Sequence, residues 1–412
     1  MTARDRTFFE LLDENDELAG FREEFDLPDG LVFLNGNSLG APPKSTWHRL
    51  SRVVRQEWRH DMNAAWWTHG WLDLPTAVGD RIGQLIGAAP GQVVVGESTS
   101  VNLFKLLCGA LRVHAGSGRE RQTILTDTNN FPSDLYIADG ITQHVHPAAR
   151  VRRVDIESIP DALDDDVAVV MLSHVDYRTG KILPMSEINK RAHAVGSLVL
   201  WDLSHSVGVV PLALDADDAD LAVGCGYKYL NGGPGAPGYM YVSARLLPDM
   251  QQPITGWLGH ADPFAFEADY RPAPGIGRLT TGCPPLLSLA ALDEGISLTA
   301  KADPVLVRAK SSALTELFIE LASERLTPYG ADVLSPRAQA QRGGHVTLRH
   351  RAARGLIERL GTEGFMAELR VPNLLRIGLS PLFVRFVDVW DSVAALERIL
   401  AGALEDTAGD QQ

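Results

Sequence analysis

Two residues near the middle of the chain, Asp202 and Lys228, have types and settings that could do chemistry together. An apolar run, Leu198-Val199-Leu200-Trp201, delivers Asp202 at its end, and Leu203-Ser204-His205-Ser206-Val207-Gly208 follows. After a further apolar run, Gly224-Cys225-Gly226-Tyr227-Lys228-Tyr229 presents a lysine behind two glycines. A third group, Ser98-Thr99-Ser100, sets hydroxyls at the opening of a helical pattern. An accessible lysine amine in a perturbed setting can condense with an aldehyde. A carboxylate can hold a ring nitrogen protonated, so that the ring accepts electrons. Hydroxyls and free backbone N–H groups at a helix N-terminus suit a phosphate. Aldehyde, ring nitrogen and phosphate are the three handles of pyridoxal 5'-phosphate, which the sequence therefore places on Lys228. Each part alone is ordinary: lone lysines are mostly solvated, Asp202 could turn a strand end, and Ser98–Ser100 is an N-cap pattern. Their combination, in this order, favours the cofactor.

Such groups need a frame. Short β-branched runs alternate with helical patterns through the middle of the chain. Val93–Val95, Thr123–Leu125, Val167–Leu172, Leu198–Trp201 and Leu221–Val223 read as buried strands, with Thr99–Arg112 and Ser186–Val195 as helices between them. That alternation predicts an α/β fold, a mostly parallel sheet covered by helices, with its site beyond the strand ends. Beyond about residue 290 the texture becomes α+β. Helical patterns Asp303–Ser323, Ala352–Leu360 and Asp391–Leu404 surround strands near His345–Leu348 and Leu374–Leu379. The expected division is an N-terminal segment (1–50) joining the small domain, a large cofactor-binding domain (51–290) and a small C-terminal domain (291–412).

Composition narrows the function classes. With 52 acidic against 38 basic residues and a net charge of −14, the chain repels phosphate backbones, which argues against nucleic acid. No apolar run reaches membrane length, and the first residues lack the pattern of a secretory signal. Three scattered cysteines, Cys108, Cys225 and Cys283, suit neither a disulfide framework nor a metal site. The expectation is a soluble cytoplasmic enzyme that binds no metal.

Several blocks resemble the kynureninase family, fold-type I pyridoxal phosphate hydrolases related to class V aminotransferases. They are Asn35-Gly36-Asn37-Ser38-Leu39-Gly40, Asn130-Phe131-Pro132-Ser133-Asp134, Ser173–Gly180, Tyr227–Pro237 and Gly256-Trp257-Leu258-Gly259-His260. The resemblance implies that Lys228 carries the cofactor and that Asp202 pairs with its ring nitrogen. It further implies that Phe131 stacks on the ring and that Asp134 and His205 touch the cofactor. Ser98, Thr99, Tyr227 and Trp257 would hold the phosphate, in a homodimer whose active site lies at the subunit interface and whose Trp257 reaches across it. Asn35 and Ser38 would line the substrate side, and Arg376 would grip the substrate carboxylate, a task that suits a planar fork. Cys283 stands where the family more often has asparagine or threonine against the phosphate, and a thiol is a weak donor. Trp66 and Trp71 are expected as walls of an aromatic pocket, since rings stack on rings.

The implied reaction cleaves the Cβ–Cγ bond of L-kynurenine, 3-hydroxy-L-kynurenine or both, giving an anthranilate and L-alanine in tryptophan degradation. Lys228 would be the first acid/base and Tyr227 the proton donor to the β-carbon. The rival readings are another class V-like enzyme (aminotransferase, lyase or cysteine desulfurase) and a non-catalytic binding protein of the same fold.

Overall fold

The computed structural model describes residues 5–115 and 121–409; the first four and last three residues of the expected terminal segments lie outside them. Seven strands form the central sheet: β1 (Val93–Val95), β2 (Thr123–Asp127), β3 (Arg150–Val154), β4 (Val167–Ser173), β5 (Leu198–Asp202), β6 (Leu221–Cys225) and β7 (Gly238–Val242). Their spatial order is β1-β7-β6-β5-β4-β2-β3. Pairings from β6 through β3 are parallel, whereas β7 runs antiparallel to both β6 and β1. The sheet is therefore mostly parallel, as the alternation predicts.

Strands covered on both faces need apolar side chains in both directions, and the unbroken run Val167–Leu172 supplies them. One face packs against Val78, Ile82 and Ile86 of helix Leu74–Ile86 and Leu289, Leu292 and Ile296 of helix Leu286–Thr299. The other packs against Leu103, Leu106 and Leu107 of helix Thr99–Ala115 and Leu135, Ala138 and Ile141 of helix Pro132–His144. The sequence reading missed β3. Arg-Val-Arg-Arg-Val is an edge strand whose arginines stay partly solvated, so it lacks the buried pattern and its charge guards the open edge.

A second sheet lies toward the C-terminus: β8 (Asp332–Val333), β9 (His345–Arg349), β10 (Glu368–Arg370) and β11 (Leu374–Gly378), antiparallel in the order β10-β11-β9-β8. Alternation sorts its faces. Val346, Leu348, Leu375 and Ile377 enter a core shared with Phe318, Val393 and the N-terminal Phe9, Phe25 and Leu34. Thr347, Arg376 and Glu368 sit opposite one another in the ladder and so occupy the other face. Helix Pro304–Arg325 begins as its sequence predicts: Asp303 Oδ1 accepts from the Val305 N–H at 2.8 Å, with proline at the first helical position.

The N-terminal loop is tied to both sheets. Val32–Phe33 pairs with Phe365–Met366, and Asn35 bridges to Gly378. Gly40 N–H donates to the Tyr227 carbonyl at 2.7 Å, and a Cβ on Gly40 would stand 2.3 Å from the Lys228 carbonyl oxygen. Only glycine lets the loop lie against the lysine's turn. Among the described residues no helix is long and apolar enough to cross a membrane.

Burial at the strand ends has a consequence for stability. His174, after β4, is buried with its Nδ1 2.9 Å from Ser206 Oγ, and burial pulls its pKa from 6.5 down to about 4. The neutral ring is kept in the fold, while the unfolded chain takes up a proton below pH 6.5. The stability present above that pH is therefore lost as pH falls through about 4, by roughly 3 kcal/mol. Denaturant titrations of wild type and His174→Gln should show a shallower pH slope in the variant across this window. Parallel slopes would remove His174 as the cause.

Candidate active site

The parallel strands end together, and β4 and β5 bring Ser173 and Asp202 side by side in register. The Asp202 carboxylate is buried, and its Oδ1 accepts the Ser204 N–H at 2.7 Å. Beyond β6, the Lys228 carbonyl accepts the Asn231 N–H at 2.9 Å, which closes a turn and aims the lysine side chain back across the strand ends. Lys228 Nζ lies 3.2 Å from His205 Nε2. His205 is buried beside it, its pKa held well below the ordinary value by burial first and then by the charges of Lys228 and Arg376. A neutral imidazole thus faces the amine.

Helix ends complete the surround. Ser98 Oγ accepts the Val101 N–H at 3.3 Å and caps helix Thr99–Ala115, while Ser100 Oγ lies 2.9 Å from Ser133 Oγ on the next helix. Gly238 lets the strand lie close to this helix start, because a Cβ there would press at 3.0 Å on the Thr99 N, Asn102 Nδ2 and Gly224 O atoms. Helix Pro132–His144 begins after Phe131, whose ring meets Tyr177 edge-on at 5.2 Å. Its first turn carries Asp134, which is buried with no hydrogen-bond partner for Oδ2 among the described residues. Burial, and then the neighbouring charge of Asp202, push the Asp134 pKa well up.

These groups border one cavity of about 140 Å³, lined by Ser98, Thr99, Phe131, Asp134, Asp202, His205, Tyr227 and Lys228. It adjoins a larger one of about 500 Å³ through Ser98, Tyr227 and Ala236. The residues present fit pyridoxal phosphate. An amine, a buried carboxylate, a second carboxyl with an unclaimed oxygen and a hydroxyl-lined helix start all converge on one space. Tyr227 borders both cavities, and burial, followed by its neighbour Cys225, raises its phenol pKa so that it stays protonated.

Arg376 is fully buried on β11. One terminal nitrogen donates to the Tyr177 carbonyl at 2.8 Å, the other pairs with Glu368, and Nε has no hydrogen-bond partner among the described residues. Burial lowers its pKa while Glu368 opposes that shift. Ser38 Oγ reaches Glu368 Oε1 at 3.4 Å. Asn35 Oδ1 is buried without a hydrogen-bond partner among the described residues.

Arg376, Asn35 and Ser38 line neither cavity, and other expected residues also stand apart within this chain. Cys283 is exposed and borders only the larger cavity. Trp257 lines neither cavity; it is 37% exposed and meets Phe264 edge-on at 5.7 Å. Trp66 and Trp71 also line neither. They pack edge-on against each other at 5.6 Å, and Trp71 donates Nε1–H to buried Glu57 at 2.9 Å, beside Val53 and Ala290. Sequence reasoning passed over Ser173 and Tyr177, which border the cavity of Lys228 although their block resembles the family. It also passed over His345, whose ring lies 5.8 Å from that of His205, and Glu368.

Comparison with known proteins identifies the family and the fold. The family model described as "Kynureninase C-terminal domain" matches residues 307–396. The kynureninase of Pseudomonas fluorescens is 44% identical over 390 residues, covering 94% of each chain. That of Burkholderia pseudomallei strain 1106a is 42% identical over the same length and coverage. Among solved structures, the apo cysteine desulfurase of Thermococcus onnurineus NA1 has a similar fold, with a TM-score of 0.78 and 16% identity. That match covers 93% of this chain and 98% of the desulfurase.

Proposed function

This chain belongs to the kynureninase family, and from that premise we propose that it hydrolyses the Cβ–Cγ bond of kynurenine, with pyridoxal 5'-phosphate carried on Lys228. The products are an anthranilate and L-alanine. One observation carries the residue assignments: the Lys228 amine, the Asp202 carboxylate and the hydroxyls of Ser98 and Thr99 border a single cavity. When bound, the cofactor supplies a cationic ring that takes up negative charge from the substrate's α-carbon.

The chain's own groups do the rest. Asp202 keeps a ring nitrogen protonated. Phe131 covers a ring face, and Asp134 offers its free oxygen nearby. Lys228 moves the α-proton, and neutral His205 at 3.2 Å can accept a hydrogen bond from its protonated form. Tyr227, held protonated by burial, can donate to the β-carbon. Arg376 binds the substrate's carboxylate, with Asn35 and Ser38 on the same side.

The working form is proposed as a cytoplasmic homodimer acting in tryptophan degradation. Support for an interface comes from a connected aromatic surface: Phe264 lies 5.5 Å from Trp67 and 5.7 Å from Trp257, and all three rings are more than a third exposed. An aromatic surface of this kind is what a partner subunit covers. In a dimer, Trp257 and Cys283 can reach the partner's phosphate site.

The expected result for cofactor-loaded protein is equimolar anthranilate and L-alanine from L-kynurenine, followed by fluorescence and amino acid analysis. Running 3-hydroxykynurenine alongside decides ring preference, which rests on one or two pocket side chains. No cleavage of either compound would overturn the proposal.

A further inference from the structure

The polar face of the small sheet carries more charge than the binding of one carboxylate requires. Arg376 has no exposed surface and pairs with Glu368. The same glutamate pairs through Oε1 with Arg370 at 2.7 Å and approaches Ser38 Oγ at 3.4 Å. Register dictates this cluster: Glu368 is the direct cross-strand partner of Arg376, so both side chains emerge on one face. Two cations and one anion leave the trio with a single positive charge. A buried guanidinium cannot stay unpaired without large cost, so an internal carboxylate stands against it before substrate arrives.

We propose that Glu368 is a built-in competitor for the substrate carboxylate: it holds Arg376 in the empty site, weakens substrate binding, and thereby sets KM. The proposal rests on Arg376 being the carboxylate grip. Four features support it. Glu368 stands beside Ser38, a residue of the substrate-side block. The Nε of Arg376 is buried with no hydrogen-bond partner among the described residues, so Glu368 does not satisfy every donor of the guanidinium. Arg370, a third exposed, can retain Glu368 when the guanidinium turns to substrate. Two carboxylates at one guanidinium repel each other, so the substrate must overcome Glu368 to bind. Glu368 acts through Arg376 and is a positioning residue.

The test uses holoenzyme and L-alanine as probe, binding being read as a change in the bound cofactor's absorbance. In Glu368→Gln the competitor loses its charge. Alanine should bind about tenfold more tightly, and KM for kynurenine should fall by a similar factor, equivalent to about 1.4 kcal/mol. Because the gain applies to ground and transition states alike, kcat should not rise. Glu368→Asp, which keeps the charge, should restore weaker binding. Arg370→Gln removes the second cation and should weaken alanine binding several-fold, an opposite shift that remains readable if Glu368→Gln does not fold. Unchanged or weaker alanine binding in Glu368→Gln, an unchanged value in Arg370→Gln, or no alanine response in any of these proteins overturns the proposal. Alanine binding needs no turnover, so failure to cleave kynurenine would remove the substrate reading and leave this test standing.

Discussion

In Lys228→Ala the near-visible absorbance of the cofactor disappears and kynurenine turnover drops by at least about 10³-fold, since one residue loses both its covalent and its acid/base role. Folding should survive, because little of the protein leans on this side chain. Lys228 is only half-buried, its turn is fixed by the backbone bond from Asn231, and its nearest polar contact is His205. Circular dichroism should therefore match wild type. Cofactor should still associate weakly through the groups around Ser98 and Thr99, without the band that a linked lysine gives. A variant that kept that absorbance would place the linkage on another amine. Buried Lys105 is the natural control, since its Nζ donates to the Leu279 carbonyl at 2.9 Å and to Thr281 Oγ1 at 2.6 Å. Replacing it should lower stability and leave the absorbance in place.

How much of the site was legible depended on whether one element or two had to be known. Asp202 and Lys228 could be read because each follows an apolar strand, and parallel strands under helices must end on one edge. Ser98–Ser100 could be read because a helix start exposes unbonded N–H groups wherever it lies. Glu368 could not: its meaning comes from standing opposite Arg376 in an antiparallel ladder, and register between neighbouring strands is invisible in a single sequence. His345 is similar, since its approach to His205 joins the small sheet to the large one. Trp66 and Trp71 are a converse case. Clustered tryptophans suggest a pocket, yet their rings find each other and Glu57 instead, which satisfies packing and the indole N–H. Strand β3 was hidden because an edge position removes the apolar pattern by which strands are recognised.

Arg376→Ala is expected to cost roughly 2–5 kcal/mol of substrate recognition, or about thirtyfold to a few thousandfold in kcat/KM. Most of the loss should fall on KM, because the carboxylate is held before and during the chemical step and the grip is largely uniform. The truncation has a second effect that must be separated from the first. Glu368 would lose its buried partner and keep Arg370 and the Ser38 hydroxyl, and removing one member of a buried pair destabilises by about 3–5 kcal/mol. Arg376→Lys resolves the ambiguity. It keeps the charge beside Glu368, so stability should largely return, but a lysine lacks the planar fork that engages a carboxylate through two parallel bonds. Recovery of the melting temperature with KM still high would show that the fork itself recognises substrate. Recovery of both would reduce Arg376 to a point charge, and an unchanged KM in Arg376→Ala would take it out of the site.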